Sequence, residues 1–420
     1  MEYKKYKANG YNIYTIKTDK FKNCHLEVIF RNNCLKEEIT KRAIICDLLM
    51  RSSKKYPTRT DVEIELENLY NTHIYGIMTR VGNSIFTNYC LDFINPKYAE
   101  KNLSKKTIEL LFEMLLNPNI ENDNWNKDSF NIIKNNLKAD ILAAKENALG
   151  YAMRRMLFHM DETSPISFST NGYLSDLEKI TPENIIPFYI ETMTKDACDI
   201  FIIGDLDMEK IVNDIKKVFQ RTSSKNKITL YAKNRKATKI KEIKEKENYN
   251  QASLLVGCNV HNLTERERNY VSHIFNVIMG EGSLETKLHK SLRTDNSLCY
   301  QTKSLYQKFD NVIILYAGID PSNYKRCVKL IKKALDEMVS GNITDEEIEN
   351  AKLLIKSSLV MTFDNPAGLI NNFVFEVLDG LPRLDERINE ISTVTKDEII
   401  AFSKKLAINT IYMLSNEGES

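Results

Sequence analysis

The chain has 420 residues, with 59 Lys or Arg against 57 Asp or Glu and a formal net charge of +2. That balance excludes a dedicated nucleic-acid binder, whose domain carries a marked basic excess, and the length predicts two domains of about 200 residues each. No stretch reaches the roughly 20 apolar residues of a membrane span and no apolar signal core follows Met1-Glu2-Tyr3-Lys4-Lys5, so the expected location is the cytoplasm.

In chain order, alternation predicts strands at 13–16 and 25–30. Helical apolar spacing follows at 40–50, 98–116 and 128–144, with paired strands near 72–78 and 84–93. Thr181 reads as the N-cap of a short amphipathic helix with Pro182 at its first position, and an apolar run at 198–205 closes the half as a strand. Residues 222–250 hold nine Lys or Arg against three Asp or Glu and few large apolar residues, which reads as a solvated linker.

The second half repeats the order. A strand at 252–258 precedes a helix ending at Met279 and opened by a capping box of Thr264 and Glu267. Strands at 298–306 and 312–318 lead to helices at 324–338 and 344–360, the latter opened by a second box of Thr344 and Glu347. Asn365-Pro366 marks a break before another helix, and Thr395 caps a helix before a closing strand at 410–415. The matching ends suggest an internal duplication. The predicted fold class is α+β: two duplicated domains, 1–221 and 251–420, each a largely antiparallel sheet with helices packed on one side, joined by the basic linker 222–250.

Eight cysteines stand singly, without zinc-ribbon spacing, and most have apolar neighbours, so buried free thiols are expected. Cys24 beside His25 is the one adjacent Cys/His pair. Neighbours in a strand point to opposite faces, which argues against their acting together. No His/acid or Cys/His constellation emerges from the spacing.

The densest signal runs from Gly280 to Tyr300. Gly280 and Gly282 supply a permissive backbone, Ser283 is placed to cap a helix, and Leu284, Leu288 and Leu292 recur every four residues, leaving Arg293 at the helix end. A polar turn then leads to Leu298-Cys299-Tyr300 at the start of a strand. From spacing alone, Arg293 and Tyr300 read either as a surface arginine and a half-buried strand tyrosine or as a pair gripping a carbonyl or carboxylate across one cleft.

The run Gly280-Glu281-Gly282-Ser283, Leu284, Leu288, Ser291-Leu292-Arg293 and Ser297-Leu298-Cys299-Tyr300 resembles the second domain of insulinase/pitrilysin-type zinc peptidases of the mitochondrial processing peptidase kind. The resemblance continues through residues 343–352 and over 180–188 and 201–205, nearly the whole chain. It implies that the chain forms half of a clamshell. Catalytic members carry H-x-x-E-H on the first helix, two imidazoles for zinc and a Glu as base for the metal-bound water. Here Ile44 and Leu48 occupy the ligand positions, Asp47 stands where the base would be, and the region of the downstream Glu reads Asn135-Asn136-Leu137-Lys138.

The resemblance therefore implies a chain that binds no catalytic zinc, with the metal in a paralogous partner subunit. By the same resemblance, Arg293 and Tyr300 are the catalytic pair, Tyr300 donating to the developing oxyanion and Arg293 holding the substrate carbonyl or fixing Tyr300. Gly280, Glu281, Gly282 and Ser283 are the substrate-binding loop of a heterodimeric peptidase. The alternative is a peptidase-like scaffold that captures a peptide or protein partner without chemistry, and the sequence leaves a homodimer open. Glu281, Thr294 and Cys299 depart from the family pattern.

Overall fold

The computed structural model describes residues 2–221, 227–233, 239–249, 251–282 and 284–416. They divide into two units: 1–143, 169–229 and 363–378 form the first, and 144–168, 230–362 and 379–420 the second. In the first, strands β1 (Lys4–Ala8), β2 (Tyr11–Lys17), β3 (Asn23–Asn33), β4 (His73–Val81), β5 (Ser84–Ile94) and β6 (Ala197–Gly204) form a sheet in the order β1-β2-β6-β3-β5-β4. In the second, β7 (Lys241–Lys246), β8 (Ala252–Val260), β9 (Cys299–Gln307), β10 (Val312–Ile319) and β11 (Leu406–Ser415) form a sheet in the order β7-β11-β8-β10-β9.

The duplication is visible in the pairing. In both sheets the closing strand lies parallel to the opening one, β6 on β2 and β11 on β7. Every other pair is antiparallel, and the order β2-β6-β3-β5-β4 maps onto β7-β11-β8-β10-β9. The predicted α+β class with largely antiparallel sheets therefore holds, and β1 is the added edge of the first copy.

Strand β7 lies inside the stretch read as linker. Its Lys-Glu-Ile-Lys-Glu-Lys pattern hides only Ile243 and Glu245 in part, because an edge strand needs one apolar face and little else. Residues 222–226, 234–238 and 250 of that stretch lie outside the described residues.

All nine residues of β8 and all eight of β10 are buried, so both faces of the second sheet are covered. Leu254, Val256 and Cys258 pack with Ile274, Phe275 and Ile331 on one face. On the other, Leu255, Ile314 and Tyr412 pack with Ala152, Met156 and Met160 of the helix Ala148–Met160. That helix precedes the predicted domain boundary yet belongs to the second unit. The first unit does likewise with a helix from late in the chain. Tyr14 stacks on Phe201 at 4.6 Å and meets Tyr3 at 5.5 Å, and Tyr3 reaches Phe373 of the helix Pro366–Asp379 at 5.6 Å. Most helices pack on one face of each sheet as predicted, but one helix distant in sequence covers the other.

The predicted caps are present. Thr264, Thr344 and Thr395 each accept from the backbone N–H three residues on, and Glu267, Glu347 and Glu398 accept from the cap residue's own N–H. Thr181 accepts from Asn184 N–H at 3.2 Å, but the helix begins at Ile186, so Pro187 rather than Pro182 occupies its first turn. All eight cysteines are free and buried, as expected.

The first helix, Lys36–Leu49, is fixed by a buried ion pair. Its Arg42 donates to Asp196 at 2.6 and 3.3 Å and to Glu38 at 2.8 Å. Asp196 is wholly buried and stands just before β6. Replacing it by alanine leaves the Arg42 guanidinium buried without its main counter-charge, which costs about 3–5 kcal/mol. Asp196→Ala is expected to lower the unfolding free energy by that amount, read as a lower urea midpoint at unchanged slope, and an unchanged midpoint would contradict the role given to the pair.

Candidate functional site

The helix Ser272–Gly280 ends against the edge strand β9. A Cβ on Gly280 would lie 2.9 Å from the Ser304 backbone nitrogen and 3.0 Å from Leu288 Cδ1, so only glycine lets the helix end approach this closely. Gly282 has φ +77, the left-handed region that glycine enters without strain. Between them, Glu281 is tied back. Its N–H donates to Asn276 O at 3.2 Å, and its Oε2 accepts from Asn276 Nδ2 at 2.5 Å. Asn276, nearly fully buried, also accepts from Ser304 Oγ at 2.5 Å. The acid that departs from the family pattern thus serves as the partner of a buried amide.

Beyond the turn the structure differs from the spacing-based reading. Ser283 lies outside the described residues, and Leu284 is 68% exposed. The helix begins only at Lys287, with Thr286 Oγ accepting from His289 N–H at 3.4 Å. Leu288 and Leu292 are fully buried as predicted. Lys287 anchors the turn by an ion pair with Glu347 at 3.0 Å.

Lys290–Thr294 is π-helical, closed by Asp295 N–H donating to Lys290 O at 2.9 Å. This wider turn carries Arg293, whose Nη1 donates to the backbone carbonyl of Tyr300 at 2.9 Å. Tyr300 lies in a bulge. Cys299 pairs with Ile319 and Thr302 with Ala317, so β9 has one residue more than β10 over that interval. The bulge leaves Tyr300 75% exposed.

These elements enclose a cleft of about 470 Å³, walled by the Gly280–Gly282 turn, Leu284, His289, Arg293 and residues 301–305 of β9. Arg293 and the described loop residues meet there as the sequence suggested. Tyr300 does not form part of the wall, although its neighbour Gln301 does. The arginine and tyrosine are joined through the tyrosine's carbonyl rather than by two side chains facing across the cleft. His289 and Lys303 also line it and were not singled out from the sequence. Their signal is positional: four residues before Arg293, and alternate with Gln301 on the same strand.

Ile44 and Leu48, which the sequence resemblance sets at the ligand positions of the zinc motif, are fully buried in the first core. Neither side chain can ligate a metal. Asp47 is exposed on the same helix; desolvation and the nearby Asp140 carboxylate raise its pKa. Leu137 fills the facing helix Lys127–Ala143.

Residues 179–355 match the family Peptidase M16 inactive domain. Along its whole length the chain is similar to the probable inactive metalloprotease YmfF of Bacillus subtilis (strain 168), 26% identical over 99% of this chain and 98% of that protein. The chain is thus similar to the inactive branch of the M16, insulinase/pitrilysin-type, peptidase family. Among solved structures the chain is similar to a conserved protein from Enterococcus faecalis V583, with a TM-score of 0.93, 24% identity and coverage of 100% and 99%. It shares its fold also with the peptidase M16 inactive domain from Pseudomonas fluorescens, TM-score 0.81, 15% identical over 99% and 98%.

A second cluster of polar groups, missed in the sequence, lies in the first sheet. His25 Nδ1 is 2.7 Å from Asp92 Oδ1, and Nε2 is 2.9 Å from Glu27 Oε1. Asn88 Nδ2 donates to Glu27 Oε2 at 2.9 Å, and buried Cys90 stands opposite Glu27. A signal existed: His25-x-Glu27 and Cys90-x-Asp92 each put two polar groups on one strand face, and only the β3/β5 register brings the pairs together. Cys24 points into the core on the other face, as expected.

Two outcomes follow. Gly280→Ala pushes the helix end off β9 and is expected to cost about 1–3 kcal/mol, read as a lowered thermal midpoint; no change would show that the contact yields freely. Burial lowers the His25 pKa, but hydrogen bonds and charges from Asp92 and Glu27 outweigh it and raise it from 6.5 to about 9. The resulting stability is complete below pH 6.5 and lost as pH rises towards 9, up to about 3 kcal/mol. In chelator-treated protein, His25→Gln is expected to flatten the stability profile across that window.

Proposed function

We propose that this chain is the zinc-free subunit of a heterodimeric M16 metallopeptidase, inactive alone and working beside a paralogous subunit that carries H-x-x-E-H and the zinc. The observation that carries this reading is the contrast within one chain. The helix at the zinc position is filled with aliphatic side chains, whereas the second unit keeps a walled cleft with glycines at the turn and an arginine fixed on the neighbouring strand. A degenerate fold under no demand for ligand binding would have little use for that cleft.

In this reading the exposed edge of β9 takes an extended peptide as an added strand, and the Gly280–Gly282 turn admits its backbone. Arg293 spends one of its five N–H donors on Tyr300. That bond fixes the bulge from which Tyr300 projects, and the phenol donates to the oxyanion that forms when water attacks the scissile carbonyl. The metal and its water belong to the partner. Eight buried free thiols suit a reducing compartment such as the cytoplasm.

The test is co-expression with an H-x-x-E-H paralogue and assay of peptide cleavage. Neither chain alone is expected to cleave. In the pair, Tyr300→Phe should lower kcat by about 10²–10³-fold, the effect of losing one oxyanion donor, and Arg293→Ala by a similar factor. Full activity in both variants would reject the catalytic role. Peptide binding without cleavage in any pairing would establish the scaffold reading instead.

A further inference from the structure

The peptidase reading leaves the buried cluster on β3 and β5 without a purpose. We propose that His25, Glu27 and Cys90 form a site for one divalent cation of the zinc class, with Asp92 orienting His25 from outside the ligand set. One donor atom from each of the three lies within 4.8 Å of the other two. The three residues are 1%, 7% and 2% exposed. An imidazole nitrogen, a carboxylate oxygen and a thiolate sulfur are the donors zinc accepts at about 2.0–2.3 Å. Calcium and magnesium take oxygen alone, so the sulfur and nitrogen select against them.

The surroundings resemble those of a built metal site. A ligating histidine usually gives its second ring N–H to a carboxylate, and Asp92 Oδ1 stands 2.7 Å from His25 Nδ1. Asn88 holds the far oxygen of Glu27, leaving Oε1 on the His25 side. Tyr75 on β4 stands opposite Cys90.

Binding a dication here needs a neutral imidazole and a thiolate, so it would release protons. The Asp92 side chain is one-third exposed (33%), and His73, opposite it on β4, is exposed, so an ion can arrive from that side. Bound there, it would clamp β3 to β5. The site is separate from the degenerate peptidase motif, which lies on the helix Lys36–Leu49.

The test uses the purified full chain, stripped by a chelator and titrated with Co²⁺. One equivalent is expected to bind with a thiolate-to-cobalt charge-transfer band in the near ultraviolet, and Zn²⁺ should bleach it and raise the thermal midpoint. Cys90→Ser should abolish the band, and Asp92→Asn should weaken binding by about 10–100-fold. Asp47→Asn should leave both unchanged. If Cys90→Ser fails to fold by circular dichroism, Glu27→Gln decides, since it must weaken binding at least tenfold in a folded chain. No band in the parent protein, a band persisting in folded Cys90→Ser, or unweakened binding in folded Glu27→Gln would overturn the site.

Discussion

Burial of the central strands on both faces is the constraint on which the rest of this structure depends. A strand such as Ala252–Val260, with every residue buried, cannot be completed by the helices that follow it, because they pack on one side. The second face needs apolar cover from elsewhere. In the second unit this is Ala152, Met156 and Met160; in the first, the helix carrying Phe373 serves the same end. Both helices lie far in sequence from the strands they cover, so the spatial units and the sequence halves have different membership.

The same logic of buried support governs the cleft. Its exposed groups are held less by one another than by residues beneath them: Asn276 ties Glu281 to Ser304, Lys287 ties the following turn to Glu347, and Gly280 lets helix and edge strand meet. Such a site is preorganised, its geometry fixed before any peptide arrives. The first helix, Lys36–Leu49, is held in the same way, with Ile44 and Leu48 buried in the first core and Arg42 paired to Asp196.

Much of this was legible in the residues. Caps at Thr264, Thr344 and Thr395 depend on side chains three residues apart, and such local rules survive folding. The repeated order of strands and helices gave the duplication, and the Gly280–Tyr300 stretch located the cleft. What escaped was set by tertiary context. Strand β7 is too charged to read as a strand and exists because β11 offers it an edge. The exchanged helices carry ordinary amphipathic patterns with no mark of which sheet they serve. Leu284 matched a four-residue spacing but precedes the helix, whose true cap is Thr286. The His25 cluster needed a register that no single strand encodes.

The π-helical turn before Arg293 bears on how relatives should be compared. Such a turn holds one residue more than an α-helical turn, and each residue rotates the helix by about 100°. A homologue lacking that extra residue would keep an arginine in the same alignment column yet aim it about a quarter-turn away, out of reach of the strand carbonyl it grips here. In this family, retention of the arginine is therefore informative only together with the gap pattern of the preceding turn.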